Sequence, residues 1–350
     1  MPRDRVTAMD VAARAGVSQS AVSRVFTPGG SASKETAAKV RAAADALGYR
    51  PNVLARSLIT GRSRIIGLVV AYLDNQFYPD ALERLSAALQ KRGYHVLVFL
   101  ANNRSDVSEM IDQMLDHQVD GIIAASVSLS NQLADRCEAA GIPVVLFNRG
   151  QDNWRLSEVT SDNLQGAAEL AQYLVAGGHT RIAQVSGWLG STTGRDRDRG
   201  FRDGLSSVGA DLAASIDGRY ARSEAASAAR RLCDGPHPPE AIFCGNDHMA
   251  FAVMDALRFD LGMSIPGDVS IVGFDDVPMA AWKSYDLTTW SQPARAMVDT
   301  TVDTLMARID DRTTHPKKHA LPGRLVIRTS ARGPATWPRP DKQGDSHARL

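Results

Sequence analysis

From Ile65 to Phe274 the chain alternates short, nearly uninterrupted apolar runs with amphipathic helical stretches. Few folds satisfy that pattern. Ile65-Ile66-Gly67-Leu68-Val69-Val70, His95 to Leu100, Gly121 to Ala124 and Val144 to Phe147 read as strands, with helices at about 78–92 and 107–118 and a third before Val144. A second series starts near Asp162. Its strands are Arg181 to Ser186, Ala241 to Cys244 and Val269 to Phe274, and its helices lie at about 164–176, 197–208, 223–232 and 247–260. Strands that are apolar throughout are buried on both faces, so they belong to parallel sheets covered by helices. Two series imply two lobes with a cleft between them, at the strand C-termini where such sheets bind ligands.

The first 64 residues do not share this pattern. Two short helical stretches flank Gly16-Val17-Ser18. Thr7 is placed to cap the first, whose Val11, Ala12 and Ala15 share an apolar face. Gly16 supplies the positive φ of a tight turn, and Ser18 caps the second helix. Val22 and Val25 then point inward, and Gln19, Ser20, Ser23 and Arg24 outward. That spacing is a helix-turn-helix pattern, whose second helix enters the major groove of DNA. Ser33 caps a third helix, Lys34 to Leu47, with Gly48 at its end. A short helix after Pro51, capped by Asn52 and closed by Gly61, is marginal alone in water and needs a partner.

Charge follows the same division. Residues 1–64 hold eleven Lys or Arg against four Asp or Glu, a net +7, whereas the whole chain is +1 and the remainder therefore −6. A basic head on an acidic body is expected where one end meets phosphates. Cys137, Cys233 and Cys244 are far apart, with no CxxC and no nearby His cluster, which argues against a disulfide framework or a zinc site and fits a reducing cytoplasm. No run reaches the roughly 18–20 apolar residues of a membrane span. There is no GxSxG, P-loop, HExxH or strand-borne GxGxxG, so no catalytic constellation, cofactor or metal is expected. His179, after Gly177-Gly178 at a helix end, suits an imidazolium facing the helix dipole.

Together these stretches resemble the LacI/GalR family of bacterial transcription regulators. The resemblance is carried by Asp10-Val11-Ala12, Ala15-Gly16-Val17-Ser18, Val22-Ser23-Arg24-Val25 and Leu47-Gly48-Tyr49-Arg50-Pro51-Asn52 in the head. In the body it rests on Val119-Asp120-Gly121, Ile142-Pro143-Val144, Asp162-Asn163, Gly178-His179, Gly245-Asn246-Asp247, Val272-Gly273-Phe274-Asp275 and Leu287-Thr288-Thr289. It spans about Thr7 to Ser330. It implies a small all-α helix-turn-helix headpiece (1–50), a hinge helix and linker (51–64), and a two-lobed periplasmic-binding-protein-like α/β body (65–330) with parallel sheets. The lobes are about 65–161 plus 293–320 and 162–291 plus 321–330, and residues 331–350 read as a disordered tail.

The resemblance also implies roles. Gln19, Ser20 and Ala21 face base edges, Ser23 and Arg24 lie near the backbone, and Thr7, Ser18, Asn52 and Arg56 belong to the same DNA surface. Gln19 suits adenine or, in another rotamer, cytosine. Ala21 stands where the family usually has Thr, and Thr27 replaces a usual Asn. Leu58 is either the minor-groove wedge of paired hinge helices or a linker residue packed on the body. In the cleft, Phe77, Tyr78, Ser126, Asn148, Arg197, Tyr220, Asn246 and Asp275 match effector-binding positions, a set suited to a polyol. Asn148 departs from a frequent Asp. Tyr220 is either core or cleft wall, Trp290 lines the cleft or fills it from behind, and Asp247 reads as a helix cap. By its residues, the turn Arg195 to Arg199 either pairs its own charges on a solvated face, the reading for Arg199, or presents Arg195 and Arg197 together to an acidic effector.

The implied function is an effector-controlled transcriptional regulator, usually a repressor in this family. Its expected partners are double-stranded, pseudo-palindromic operator DNA, a small carbohydrate effector and a second copy of the chain, because one head covers a half-site. The tail lacks leucine heptads, which favours a dimer over a tetramer. The competing reading is a solute-binding α/β sensor without DNA-binding activity.

Overall fold

The computed structural model describes residues 6–26, 30–50, 61–71, 73–101, 107–127 and 130–337. They fall into two compact units, Met1–Arg64 and Ile65–Leu350.

The first unit is three helices, α1 (Ala8–Ala15), α2 (Gln19–Phe26) and α3 (Lys34–Leu47). A capping box opens α1. The Thr7 hydroxyl accepts from the Asp10 amide, and the Asp10 carboxylate accepts from the Thr7 N–H at 2.8 Å. Gly16 turns the chain at φ 66°, which glycine adopts without a side-chain clash. The Ser18 hydroxyl accepts from the Ala21 N–H at 3.2 Å and so caps α2. Val11, Ala12, Val22, Val40, Ala43 and Ala44 form the core. Three of these six are alanines, so the helices approach closely but bury little apolar surface, and the unit is marginal as small domains are.

The second unit holds two six-stranded sheets. We number its strands β1 (Ile65–Val70), β2 (His95–Leu100), β3 (Gly121–Ala125), β4 (Val144–Phe147), β5 (Ser157–Ser161), β6 (Ile182–Ser186), β7 (Leu212–Asp217), β8 (Ala241–Cys244), β9 (Ser270–Asp275), β10 (Thr288–Ser291), β11 (Lys318–Leu321) and β12 (Arg324–Val326). The first sheet runs β11-β5-β4-β3-β1-β2 and the second β12-β10-β9-β8-β6-β7. Pairing is parallel throughout except between β10 and β12. Six of the seven apolar runs expected as strands form the centres of the two sheets, but His95–Leu100 is an edge strand with Val98 and Leu100 exposed, so it is not covered on both faces. Five strands were not expected: β5, β7, β10, β11 and β12. Four of them are edge strands or lie beside an edge strand with only one face covered, so their sequences alternate or are polar. In β10 the buried hydroxyls of Thr288 and Thr289 instead donate to Arg328 O at 3.0 Å and Asp247 Oδ1 at 2.6 Å.

The helices of this unit are α4 (Phe77–Lys91), α5 (Val107–Asp116), α6 (Asn131–Ala139), α7 (Asn163–Ala176), α8 (Thr192–Ser207), α9 (Arg222–Cys233), α10 (Asp247–Asp255) and α11 (Ala294–Asp310). The helix expected from 197 starts five residues earlier, because Ser191 caps it by accepting from Gly194 N–H at 3.0 Å. That expected at 247–260 is an α-helix only to Asp255, then a π turn over Ala256–Asp260. The chain passes between the sheets three times, after Ser161, after Ser291 and after Leu321. α7 and α8 pack backbone to backbone: a Cβ on Gly200 would stand 2.3 Å from Leu164 O, and one on Gly204 2.6 Å from the Ala168 backbone.

Two expectations need correction. Residues 331–337 are packed rather than a tail: Ala331 is buried, and the Trp337 ring meets Tyr173 edge-on at 5.4 Å. His179 is biased against the imidazolium form. Its Nδ1 lies 2.8 Å from Leu174 O and its Nε2 2.9 Å from the Ser270 hydroxyl, and burial pushes its pKa below the usual value. Desolvation outweighs the hydrogen bond to the Leu174 carbonyl, which acts the other way. Among the described residues no helix is long and apolar enough to cross a membrane, and no group of His, Cys, Asp and Glu could hold a metal ion.

Candidate nucleic-acid interface and effector cleft

On the first unit, Ser18, Gln19, Ser20, Ser23 and Arg24 are exposed along α2 and Ala21 is half-buried, while Val22 turns into the core. The amphipathic spacing of α2 thus presents one polar face, with Arg24 in its last turn. Thr7 is exposed at the start of α1, but its hydroxyl is engaged with Asp10 at 2.8 Å. Ser18 and Ser20 share a hydroxyl–hydroxyl bond of 2.9 Å. Asn52, Arg56 and Leu58, with the expected hinge helix, and Thr27 lie outside the described residues.

In the second unit, parallel strands end on a common side and bring distant residues together. Ser126 follows β3, Asn148 follows β4, Tyr220 follows β7, Asn246 follows β8 and Asp275 ends β9, and all line one cleft with Tyr78 of α4 and Arg197 of α8. The free space inside the cleft is about 30 Å³, room for a water or two, so a ligand needs its walls to part. Ser126, Asn148, Tyr220 and Asp275 have φ of 60°, 61°, 58° and 132°. Left-handed backbone at residues with side chains costs on the order of 1–3 kcal/mol each and concentrates where ligands bind.

Arg197 is the centre of the polar wall. Its Nε donates to Asn163 Oδ1 at 2.8 Å, its Nη1 donates to Gly245 O at 2.6 Å, and its Nη2 stands 3.4 Å from Asp275 Oδ1. Its guanidinium carbon sits 3.7 Å from the centre of the Phe274 ring. Gln292 Nε2 donates to Asp275 Oδ1 at 2.6 Å. Burial raises the Asp275 pKa, and the Arg197 charge opposes that rise. On the opposite wall Asn148 Nδ2 donates to the Tyr78 hydroxyl at 3.0 Å. The Thr193 hydroxyl donates to Asn148 O at 3.0 Å, joining α8 to the loop after β4. Among the described residues, three buried polar atoms on this lining have no partner: Asn148 Oδ1, Arg149 Nε and the Tyr220 hydroxyl.

The geometry settles several alternatives. Tyr220 lines the cleft and lies flat against Gly187, where a Cβ would fall 2.1 Å from its ring. Trp290 is 1% exposed and packs behind the site against Phe274 and Gly166. Phe77 is not on the lining. It stacks on Phe147 in the core, with ring centres 6.2 Å apart, and supports Tyr78 edge-on. Asp247 is not the cap of α10: Asn246 caps it, accepting from Met249 N–H at 2.9 Å. Asp247 instead accepts from Val277 N–H at 3.0 Å and from the Thr289 hydroxyl. Arg195 is spent at the rim, where its Nη2 donates to both Asp152 oxygens at 2.7 and 2.8 Å. Arg199 faces Asp203 in the open, at 3.4 Å.

Sequence reasoning missed Asp74, Asn75, Arg149 and Thr193 on the lining. Two had a signal. Arg149 directly follows Asn148 at a strand end, and Thr193 precedes Arg197 by one helical turn on the same face.

Comparison with known proteins follows this division. Residues 7–52 match the family model of bacterial regulatory proteins, lacI family, and residues 171–331 match a periplasmic binding protein-like domain. The chain is 30% identical over 333 residues to the ribose operon repressor of Escherichia coli (strain K12), covering 93% of this chain and 99% of that one. It is 28% identical over 330 residues to the HTH-type transcriptional repressor PurR of Vibrio vulnificus (strain CMCP6), covering 93% and 98%. Among solved structures, the lac repressor dimer bound to operator and the anti-inducer ONPF superposes with a TM-score of 0.84 at 28% identity, covering 93% and 99%. The complex of the transcriptional regulator CelR with cellobiose gives 0.69 at 30% identity, covering 93% and 100%. With a helix-turn-helix at one end and a two-lobed α/β body behind it, the chain belongs to the lacI family of DNA-binding transcriptional repressors.

Proposed function

We propose that this repressor binds a pseudo-palindromic operator as a homodimer and is controlled by a sugar or sugar derivative held in the cleft. The observation that carries the effector reading is the cleft itself: four left-handed strand ends and three unpartnered polar atoms converge on one enclosed space. Asn148, Asn246, Arg197 and Asp275 offer donors and acceptors, and Tyr78 and Tyr220 offer ring faces, a set that suits hydroxyl-rich rings. CelR, a relative of similar fold, binds cellobiose.

On the DNA side, Gln19, Ser20 and Ala21 read base edges, and Thr7, Ser18, Ser23 and Arg24 contact the backbone. Asn52, Arg56 and Leu58 complete the surface, with Leu58 as the minor-groove wedge. The exposed polar face of α2 on a net-basic head supports this assignment. Three cysteines, all free, suit a reducing cytoplasm.

Effector closure of the lobes changes operator affinity, and the two ligands are reciprocally linked. The test is a thermal-shift screen of sugars, sugar acids and sugar phosphates, followed by operator binding with and without each stabilising compound. A ligand at about 100 times its Kd adds roughly 2.7 kcal/mol. A hit that is lost in Arg197→Ala and shifts operator affinity supports the reading. A hit that leaves operator affinity unchanged removes the regulatory part.

A further inference from the structure

The sequence suggests Arg195 and Arg197 as selectors of an acidic effector, but the structure commits both elsewhere. Arg195 is at the rim on Asp152, and Arg197 is occupied by Asp275, Asn163 and Gly245. Arg149 is different. It is 6% exposed, it lines the cleft, its Nε meets no acceptor, and among the described residues it makes no ion pair or side-chain hydrogen bond. Its guanidinium carbon lies 5.8 Å from the centre of the Trp188 ring. It shares the cleft lining with Tyr78 and Tyr220, and its charge acts on both hydroxyls. A buried cation left without a counter-charge is among the costliest features a fold can carry.

We propose that Arg149 selects an effector bearing an oxyanion, a carboxylate or a phosphate, and seats that group against the unpartnered Tyr220 hydroxyl. The inference rests on the reading of the cleft as the effector site. The acidic groups around it are already accounted for. Asp275 is held by Arg197, and Asp247 lies behind the cleft on Thr289 and Val277. Glu158, beside Gly150, pairs with Lys318 at 3.2 Å and accepts from Gln151 N–H at 2.9 Å. Asp74, at the cleft mouth, is 72% exposed and 3.6 Å from His248. One buried positive charge is left over. A hydroxyl supplies an acceptor for Arg149 but does not neutralise it, whereas an oxyanion does both and matches the guanidinium fork.

The test uses the full-length protein and Arg149→Met, which keeps an unbranched apolar stem and removes the guanidinium with its charge. Melting temperatures are compared in chloride, acetate and inorganic phosphate at equal ionic strength, then with glucose, glucuronate and glucose 6-phosphate. Without added oxyanion, Arg149→Met melts at or above the wild type. Acetate and glucuronate, or phosphate and glucose 6-phosphate, stabilise the wild type by several degrees and the variant by less than one, and the responding pair identifies the oxyanion. Equal stabilisation of both proteins, no response of the wild type to any anion, or a variant several degrees less stable without ligand overturns the proposal. Glucose acting equally on both proteins while the anions do nothing overturns it but leaves the cleft reading standing. If Arg197→Ala changes no response to any sugar, the cleft reading falls too.

Discussion

Arg197 Nη2 stands 3.4 Å from Asp275 Oδ1, and each side chain is only 3% exposed. Each charge is tolerable there because the other is present. Asp275→Ala therefore leaves the Arg197 guanidinium buried with only neutral acceptors, and we expect a loss of about 3–5 kcal/mol. Asp275→Asn retains an acceptor for Gln292 and costs less. Urea unfolding of the full chain ranks the two: equal losses would show that the retained acceptor is immaterial, and a loss below about 1 kcal/mol in both would show that the charge is.

Asp247 makes a pH-dependent contribution. Burial and the Asp275 charge push its pKa from 3.8 up to about 8. Between those values the folded protein holds a proton that the unfolded chain has released. The contribution is complete below about pH 3.8 and is lost as pH rises through about 8. Asp247→Asn keeps partners for Val277 and Thr289 without titrating. Its stability relative to wild type should climb between pH 5 and 8.5, measured by urea midpoints across that range. A constant difference would assign the titration to another group.

The α7–α8 contact leaves no room for a methyl group. Gly204→Ala should destabilise the body by about 1–3 kcal/mol, because the new Cβ meets Ala168 backbone rather than a movable side chain. Gly235→Ala, with open space around it, should change stability by less than about 0.5 kcal/mol. Thermal melts of the two variants side by side decide the matter, and similar melts would mean that the helices slide apart at little cost.

At Gly16 the strain is in the backbone alone. The space around it is open, but φ is 66°. Gly16→Ala should cost about 1–2 kcal/mol, a large fraction of what a core of six small side chains provides. The expected readout is weaker operator binding that recovers on cooling. Unchanged affinity from 10 to 37 °C would contradict it.

The parts of this fold that could be read in the sequence are those where one residue's neighbours in sequence determine its environment. Ile65–Val70 and Val144–Phe147 are apolar at every position because both faces are covered. Thr7, Gly16, Ser18 and Ser33 act on backbone within a few residues. Where a partner is remote, legibility ends. Thr288 and Thr289 look unlike a buried strand until Arg328 and Asp247 are seen to take their hydroxyls. Asn246 and Asp247 are equivalent caps by sequence, and only the Thr289 and Val277 contacts assign Asp247 elsewhere. In the same way, Arg195, Arg197 and Arg149 differ in which carboxylate the fold brings to them, and local pattern does not encode that.

The three passages between the sheets bear on how the protein is made. The first sheet is missing its edge strand, Lys318–Leu321, and the helix Ala294–Asp310 that packs on it until nearly the whole polypeptide has left the ribosome. The second sheet waits for Arg324–Val326. Neither lobe can be finished before residues 318–326 have emerged, so the two close nearly together. A messenger truncated anywhere before the codon for Leu321 leaves neither sheet complete, and the quality-control proteases receive the whole product.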